Sequence, residues 1–283
     1  MYAITGITGQ VGGALARTLQ AAGLPIRAVV RDAAKAGFWK DQGCEAALAA
    51  MDDAVALTAA FRGAQGVFIL LPPVFDPAPD FGEARAFIAA LKSALAAARP
   101  DRVVCLSTIG AQVVRPNLLG QLSLLERELG DLDLPLCFLR PGWFMENAAW
   151  DVVSAREQGL VASFLQPLDR PVPMVATADV GRVAAELLQQ HWRGTRVVEL
   201  EGPQRVAPVD IAAAFARLLS REVRAEIVPR ETWQALFTSQ GMKNPLPRMQ
   251  MLDGFNEEWI RFEGAALKGR VDLDAVLGEL LVR

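Results

Sequence analysis

Apolar and polar positions alternate in blocks over the first half of the chain. Short apolar runs fill residues 2–5, 24–30, 67–71, 103–107 and 136–139, with a weaker one at 45–48. Longer stretches of helical spacing lie at 53–62, 81–98 and 118–129, and an alanine- and leucine-rich segment begins near residue 10. The short runs predict buried strands and the periodic stretches predict helices. Their regular alternation predicts a parallel, doubly wound sheet. After about Asn147 the rhythm loosens. Pro167, Pro171 and Pro173 interrupt it, and shorter elements follow: helices at 180–190 and 209–219, strands at 196–200 and 223–228, then a mostly helical end over 232–281.

The first turn sharpens this picture. The run 2–5 leads into Gly6-Ile7-Thr8-Gly9-Gln10-Val11-Gly12-Gly13 and then a helix. Glycine lets the backbone turn with positive φ and lets a pyrophosphate approach without meeting a Cβ. The helix N-terminus adds unpaired N–H groups and a positive dipole end. The spacing is G-x-x-G-x-x-G, placed after a clean strand pattern and before a second strand, as a dinucleotide-binding domain requires. The fold class is therefore α/β: a Rossmann doubly wound parallel sheet over residues 1–147, with a smaller C-terminal α/β lobe over 148–283. The lobe lies on the substrate side, packed with the first domain and partly interleaved with it. At the tip of the second strand stands Arg31, with Lys35 one helical turn on. A cation there suits the 2′-phosphate of NADP(H), where an acidic residue would suit the ribose of NAD(H). Asp32 leaves NAD(H) open, and an Arg31–Asp32 pair capping the next helix is the structural alternative.

Composition narrows the function classes. The chain has 283 residues, 52% of them hydrophobic, and a formal net charge of −3, enough for a sizeable core and without the basic excess that nucleic acid or an anionic membrane attracts. No apolar run reaches the length of a membrane span, and no signal-like stretch precedes the first strand. Cys44, Cys105 and Cys137 are scattered and His191 is the single histidine. That usage points to a reducing, cytoplasmic compartment and away from a structural metal. His191, before Trp192 and Gly194, reads as a helix-end residue. Asp52 and Asp53 read as caps of the helix that begins there, and Asp179 as the N-cap of a helix starting at Val180. Arg140 is expected to pair with Glu146, and Asn147 to bond loop backbone. Lys243, Arg248, Glu257 and Glu258 are expected on solvated faces, with Gly241, Pro245 and Pro247 as breaks that would let the end of the chain act as a lid.

The chain resembles atypical short-chain dehydrogenases/reductases of the NmrA-like kind. The resemblance rests on the glycine turn and on Ala28-Val29-Val30-Arg31-Asp32, Phe68-Ile69-Leu70-Leu71-Pro72-Pro73 and Ser107-Thr108-Ile109-Gly110-Ala111. It continues in Leu139-Arg140-Pro141-Gly142-Trp143-Phe144-Met145-Glu146-Asn147, Ala178-Asp179-Val180-Gly181 and Leu200-Glu201-Gly202-Pro203. That family includes NAD(P)H-dependent quinone, azo-dye and triphenylmethane-dye reductases, ergot-alkaloid iminium reductases and redox-sensing regulators without turnover. The resemblance implies a cofactor site of Gly6, Thr8, Gly9, Gln10, Val11, Gly12, Arg31, Lys35, Leu71, Pro72, Ser107 and Pro141. It also implies a monomer or homodimer acting on a small hydrophobic or aromatic molecule.

The chain departs from typical short-chain reductases at their Tyr-x-x-x-Lys pair, whose tyrosine protonates a nascent alkoxide. Aligning Glu126 with the family's acidic position puts Leu118 and Leu122 there, and Tyr2 is the one tyrosine in the chain. Ser107 is the remaining candidate, as a ligand contact or as a strand-end hydroxyl bonding backbone. The Gly-Asp expected near the adenine is replaced by Ala49-Ala50. Without a proton donor, the chemistry that remains is hydride transfer to an electron-poor or cationic acceptor: a quinone, an azo or triphenylmethane dye, or an iminium ion. Phe75, Phe81, Trp143, Phe144 and Met145 are the expected apolar walls, against the alternative of a seam between lobes. The competing function class is a non-catalytic NADP(H)-sensing regulatory protein.

Overall fold

The computed structural model describes residues 1–282. Six strands alternate with five helices over the first half. They are β1 (Tyr2–Ile4), α1 (Gln10–Ala21), β2 (Ile26–Val30), α2 (Ala33–Asp41), β3 (Glu45–Leu48), α3 (Ala54–Phe61), β4 (Gly66–Ile69), α4 (Gly82–Ala98), β5 (Arg102–Leu106), α5 (Gly120–Gly130) and β6 (Leu136–Pro141). There follow β7 (Trp143–Phe144), a 3₁₀ helix (Met145–Asp151), α6 (Val152–Gln158), β8 (Leu160–Ser163), β9 (Met174–Val175), α7 (Thr177–Gln189), β10 (Thr195–Glu201), α8 (Pro208–Leu219) and β11 (Arg224–Ile227). The chain closes with α9 (Trp233–Ser239), α10 (Leu246–Asn256), β12 (Leu267–Lys268) and α11 (Leu273–Val282).

The main sheet has eight strands in the order β12-β10-β6-β5-β4-β1-β2-β3, every pair parallel. It is a Rossmann-type doubly wound sheet. Successive side chains on a strand point to opposite faces, so both faces of these apolar runs are buried. Tyr2 and Ile4 join one core with α1, α2 and α7, while Ala3 joins another with α3, α4 and α5. Phe61, Phe68, Leu91 and Leu125 are fully enclosed, each such side chain contributing about 1.5–3 kcal/mol over its exposed state. The strand order reverses between β1 and β4. The crevice beyond the carboxyl ends of those two strands is where open α/β sheets take ligands.

The end of the chain is mostly helical, as its sequence suggests, but Leu267–Lys268 returns to the main sheet and pairs with Leu200–Glu201 as its edge. β10, in turn, lies along the whole of β6. α7 packs on α1 so closely that a Cβ on Gly181 would lie 2.6 Å from that of Ala14. The remaining later elements form a third core around Met145, Met174, Phe215 and Leu277, and a small fourth one around Trp233, Phe237, Met249 and Leu252. Two short parallel pairs, β8–β11 and β7–β9, frame them. α6 and β8 fall between Asn147 and Pro167, where the sequence pattern gives no element. Among the described residues no helix is long and apolar enough to cross a membrane.

Candidate functional site

The glycine turn is built as its spacing requires. Gly6 leaves β1 with φ of +63°, and its carbonyl accepts from Gly9 N at 3.0 Å. α1 starts directly on this turn: a Cβ on Gly12 would lie 2.2 Å from the Gly6 carbonyl oxygen. No other residue type permits that approach. Thr8, Gly9 and Gln10 are exposed, and the first turn of α1 carries no acidic residue. The turn therefore presents open space and free helix N-terminal donors to an anion, and a dinucleotide pyrophosphate fits it. Val11 is buried under the helix. Across the switch point, Leu70 sits against Gly6, Leu71 is buried and Pro72 half-buried. Thr5 Oγ1 donates to Phe68 O and accepts from Leu70 N at 2.8 Å, fixing the two strand ends to each other.

At the end of β2, Asp32 alone caps α2, accepting from Ala34 N at 2.7 Å. Arg31 and Lys35 are exposed and have no ion-pair partner among the described residues. Asp53 caps α3 through Val55 N and Ala56 N, as its position predicts, and Ala49 and Met51 are buried beside the strand ends.

Ser107, 3% exposed at the end of β5, donates to Glu126 Oε1 at 2.5 Å. Glu126 projects from α5 into a two-pronged pair with Arg140, at 2.9 and 2.6 Å. Arg140 also reaches Gln112 at 3.1 Å and Glu263 at 2.6 Å. Burial alone would lower the pKa of the Arg140 guanidinium, but hydrogen bonds and charge from Glu126, then Glu263, hold it above its ordinary value. The expected Arg140–Glu146 pair does not form. The two side chains sit on different sides of the strand end, and Glu146 instead accepts from Thr177 N at 2.8 Å and Thr177 Oγ1 at 2.5 Å. Thr177 also reaches Gln10 at 3.3 Å, joining the start of α7 to the glycine turn. Asn147 is exposed.

Asp179 is likewise not an N-cap. α7 already begins at Thr177, so Asp179 lies inside its first turn, 1% exposed. It accepts from Arg270 N and Val271 N at 2.7 and 2.8 Å and pairs with Arg182, which clamps the segment after β12. His191 lies just past α7 with Nε2 at 3.2 Å from Arg102 Nη2.

The expected substrate walls spread out. Phe75 is 64% exposed on the loop after β4, whereas Phe81, at the start of α4, packs against Gly120. Trp143 is half-buried and meets Phe255 edge-on at 5.2 Å between centroids. Phe144 packs against the α1 side of the sheet, and Met145 is 2% exposed inside the third core, so Met145 has no free surface to offer a ligand. Pro141, buried at the end of β6, accepts from Ile109 N.

A strap crosses this region between the expected breaks at Gly241 and Pro247, though nothing in the sequence marks what it rests on. Asp76 accepts from Lys243 N and Asn244 N at 2.8 and 2.7 Å, and Asn244 Nδ2 donates to Pro77 O. Those backbone bonds hold the Asp76 carboxyl below its usual range. Leu118 N donates to Pro247 O, and Gln121 Nε2 reaches Val74 O. Residues 242–247 thus lie over the loop after β4 and over the start of α5, where Leu118 is buried and Leu122 half-buried. Arg248 is not on a solvated face: it stacks 4.4 Å from the Phe237 ring centroid, and burial lowers its pKa.

A profile of the NmrA-like family matches residues 2–260. NAD(P)H azoreductase of Xenophilus azovorans is 30% identical over 248 residues, covering 87% of this chain and 83% of that protein. NADPH-dependent quinone oxidoreductase from Escherichia coli, solved in complex with NADPH, superimposes with a TM-score of 0.77 at 24% identity, over 100% of this chain and 95% of that one. Triphenylmethane reductase of Citrobacter sp., complexed with NADP(H), gives a TM-score of 0.76 at 20% identity, over 99% and 98%. At these identities the two structures bear on the fold alone.

Proposed function

The chain belongs to the NmrA-like family, and from that premise we propose that it is an NAD(P)H-dependent reductase of a small aromatic or electron-poor acceptor. The observation that carries this is the glycine turn, open toward solvent and closed beneath by Gly12 against Gly6, at the switch point of the sheet. The reductase relatives favour turnover over a purely sensing role.

Gly6, Thr8, Gly9, Gln10, Val11 and Gly12 would hold the pyrophosphate by backbone donors. Arg31 and Lys35, unpaired, would hold a 2′-phosphate, which favours NADPH over NADH. Leu71, Pro72, Ser107 and Pro141 would border the nicotinamide end. Bound NADPH supplies a hydride to the acceptor, and a quinone completes its reduction with one proton from water. The protein's own contribution is positioning and exclusion of water. With Glu126 aligned on the acidic position of typical short-chain reductases, Leu118 and Leu122 would take the places of their Tyr/Lys pair, and neither can donate a proton. The Ser107 hydroxyl is directed at Glu126, a carboxylate already paired with Arg140, so it is engaged as a donor and offers a neighbour only its lone pairs. Phe75, exposed, and Phe81, Trp143 and Phe144, each half-buried, are the aromatic groups left with surface for a flat acceptor. Residues 1–147 would supply the cofactor side and, through Phe75 and Trp143, part of the substrate side that the later residues complete, and the buried free thiols suit a reducing cytoplasm.

The test is NADPH oxidation by the purified protein against quinones, azo dyes, triphenylmethane dyes and cyclic iminium ions, beside simple ketones. Turnover with the first group and poor turnover with ketones is expected. Arg31→Asp should cost roughly ten- to a hundredfold in NADPH affinity and little for NADH. Brisk ketone reduction abolished by Ser107→Ala would identify a proton donor at that serine and overturn the mechanism.

A further inference from the structure

Beyond Ser107 the network of Arg140 has an outer end that the reductase reading does not use. Gln112 and Glu263, both bonded to Arg140, also line a cleft of about 690 Å³ between the loop after β5 and the segment after α10. That volume is in the range of small-molecule sites. Its other walls include Arg115, Trp259, Arg261 and Phe262. The cleft is therefore joined to the reaction end of the site through two side chains, Arg140 and Glu126.

Its chemistry is specific. Trp259 and Phe262 are half-buried, flat and apolar. Arg115 is held 5.4 Å from the Trp259 ring centroid. Arg261 is exposed and its guanidinium has no partner among the described residues. The carboxylates nearby are engaged. Glu263 shares Arg140 with Glu126, at 2.6 Å, while Glu257 accepts from Trp259 Nε1 at 3.1 Å and lies 3.9 Å from Arg115. Aromatic surface rimmed by one free and one lightly paired guanidinium complements a flat ring that carries an acid group. A cationic dye finds the opposite: its charge would face two arginines.

We propose that this cleft binds the acidic substituent of an anionic aromatic acceptor, a sulfonated or carboxylated quinone or azo compound, with Arg115 and Arg261 on the acid group and Trp259 against the ring. The class of acceptor rests on the reductase reading; the binding site does not.

Direct binding tests it. Naphthalene-2-sulfonate and neutral 2-naphthol are titrated calorimetrically into the protein with NADP⁺ in excess, so that the glycine turn is already filled. The sulfonate should bind roughly ten- to a hundredfold more tightly. Its advantage should shrink in about 0.5 M salt, where exposed charges are screened. It should vanish in Arg115→Ala/Arg261→Ala, which removes two exposed side chains and leaves the fold intact by circular dichroism. Equal binding of the two ligands, or an advantage that survives the double substitution, overturns the proposal. Turnover separates it from the reductase reading. A sulfonated naphthoquinone should show a lower KM than its neutral parent, with the difference lost in the double variant. Arginine-dependent sulfonate binding with no NADPH oxidation by either quinone would uphold the site and overturn the reductase assignment.

Discussion

Gly9 and Gly12 stand one helical turn apart and differ in what a side chain would meet. At Gly9 an added Cβ lies at ordinary contact distance, 3.4 Å from the Gly6 carbonyl; at Gly12 the same atom lies 2.2 Å away. Gly9→Val is expected to fold with a near-native melting temperature and to lose NADPH binding by calorimetry. Gly12→Val is expected to lose the fold itself, since backbone must move to admit it. A Gly9→Val protein that binds NADPH normally would remove the pyrophosphate assignment. At Ser107, removal of a hydroxyl that merely positions should lower kcat/KM by no more than about tenfold, since one such contact contributes about 1 kcal/mol. The glycine turn is legible in the sequence because its logic is local. The Ser107–Glu126–Arg140–Glu263 chain is not, because four residues spread over 107–263 meet only in space. Arg140 and Glu146, six apart, look like partners on the page, yet the strand end turns them to different neighbours.

At the scale of elements, the junction between the 3₁₀ helix and α6 carries a pH dependence. Burial raises the Asp151 carboxyl to about 7. An unfolded aspartate titrates at about 3.9. Between those values the folded protein keeps a proton that the unfolded chain has released. The contribution of Asp151 is therefore fully present below about pH 4 and is lost as pH rises through 7. Asp151→Asn cannot lose that proton. Its melting temperature relative to the wild type should rise from about pH 5 to about pH 8; an unchanged difference at the two pH values would contradict the assignment. The elements themselves were legible wherever apolar runs or helical periods were long. Phe81, predicted as the first residue of α4, instead precedes it in the left-handed region at φ +55°. β12 escaped notice because two residues have no period, and both are exposed.

For the whole molecule, the sequence pattern marks a change near Asn147, but the main sheet continues past it. β10 pairs with β6 over the register Thr195–Leu136 to Leu200–Pro141, and α7 covers α1. A fragment of residues 1–147 would leave both the β6 edge and the apolar side of α1 open. It is expected to aggregate or to lack a cooperative melt, while the full 283-residue chain melts as one transition; a soluble, cooperatively folding fragment would establish an autonomous first domain. The strands also emerge in an order unlike their positions. During synthesis the block from β6 across to the β3 edge leaves the ribosome first, and the outer edge of β6 stays open until β10 arrives, some fifty residues later at the few residues per second of translation. The opposite edge strand, β12, arrives almost last. Every pairing in the main sheet is parallel, so none can form as a local hairpin. The nascent chain is therefore most exposed to misassociation midway through its own production, and a slowing of translation between residues 141 and 195 should lower soluble yield without altering the stability of the finished protein.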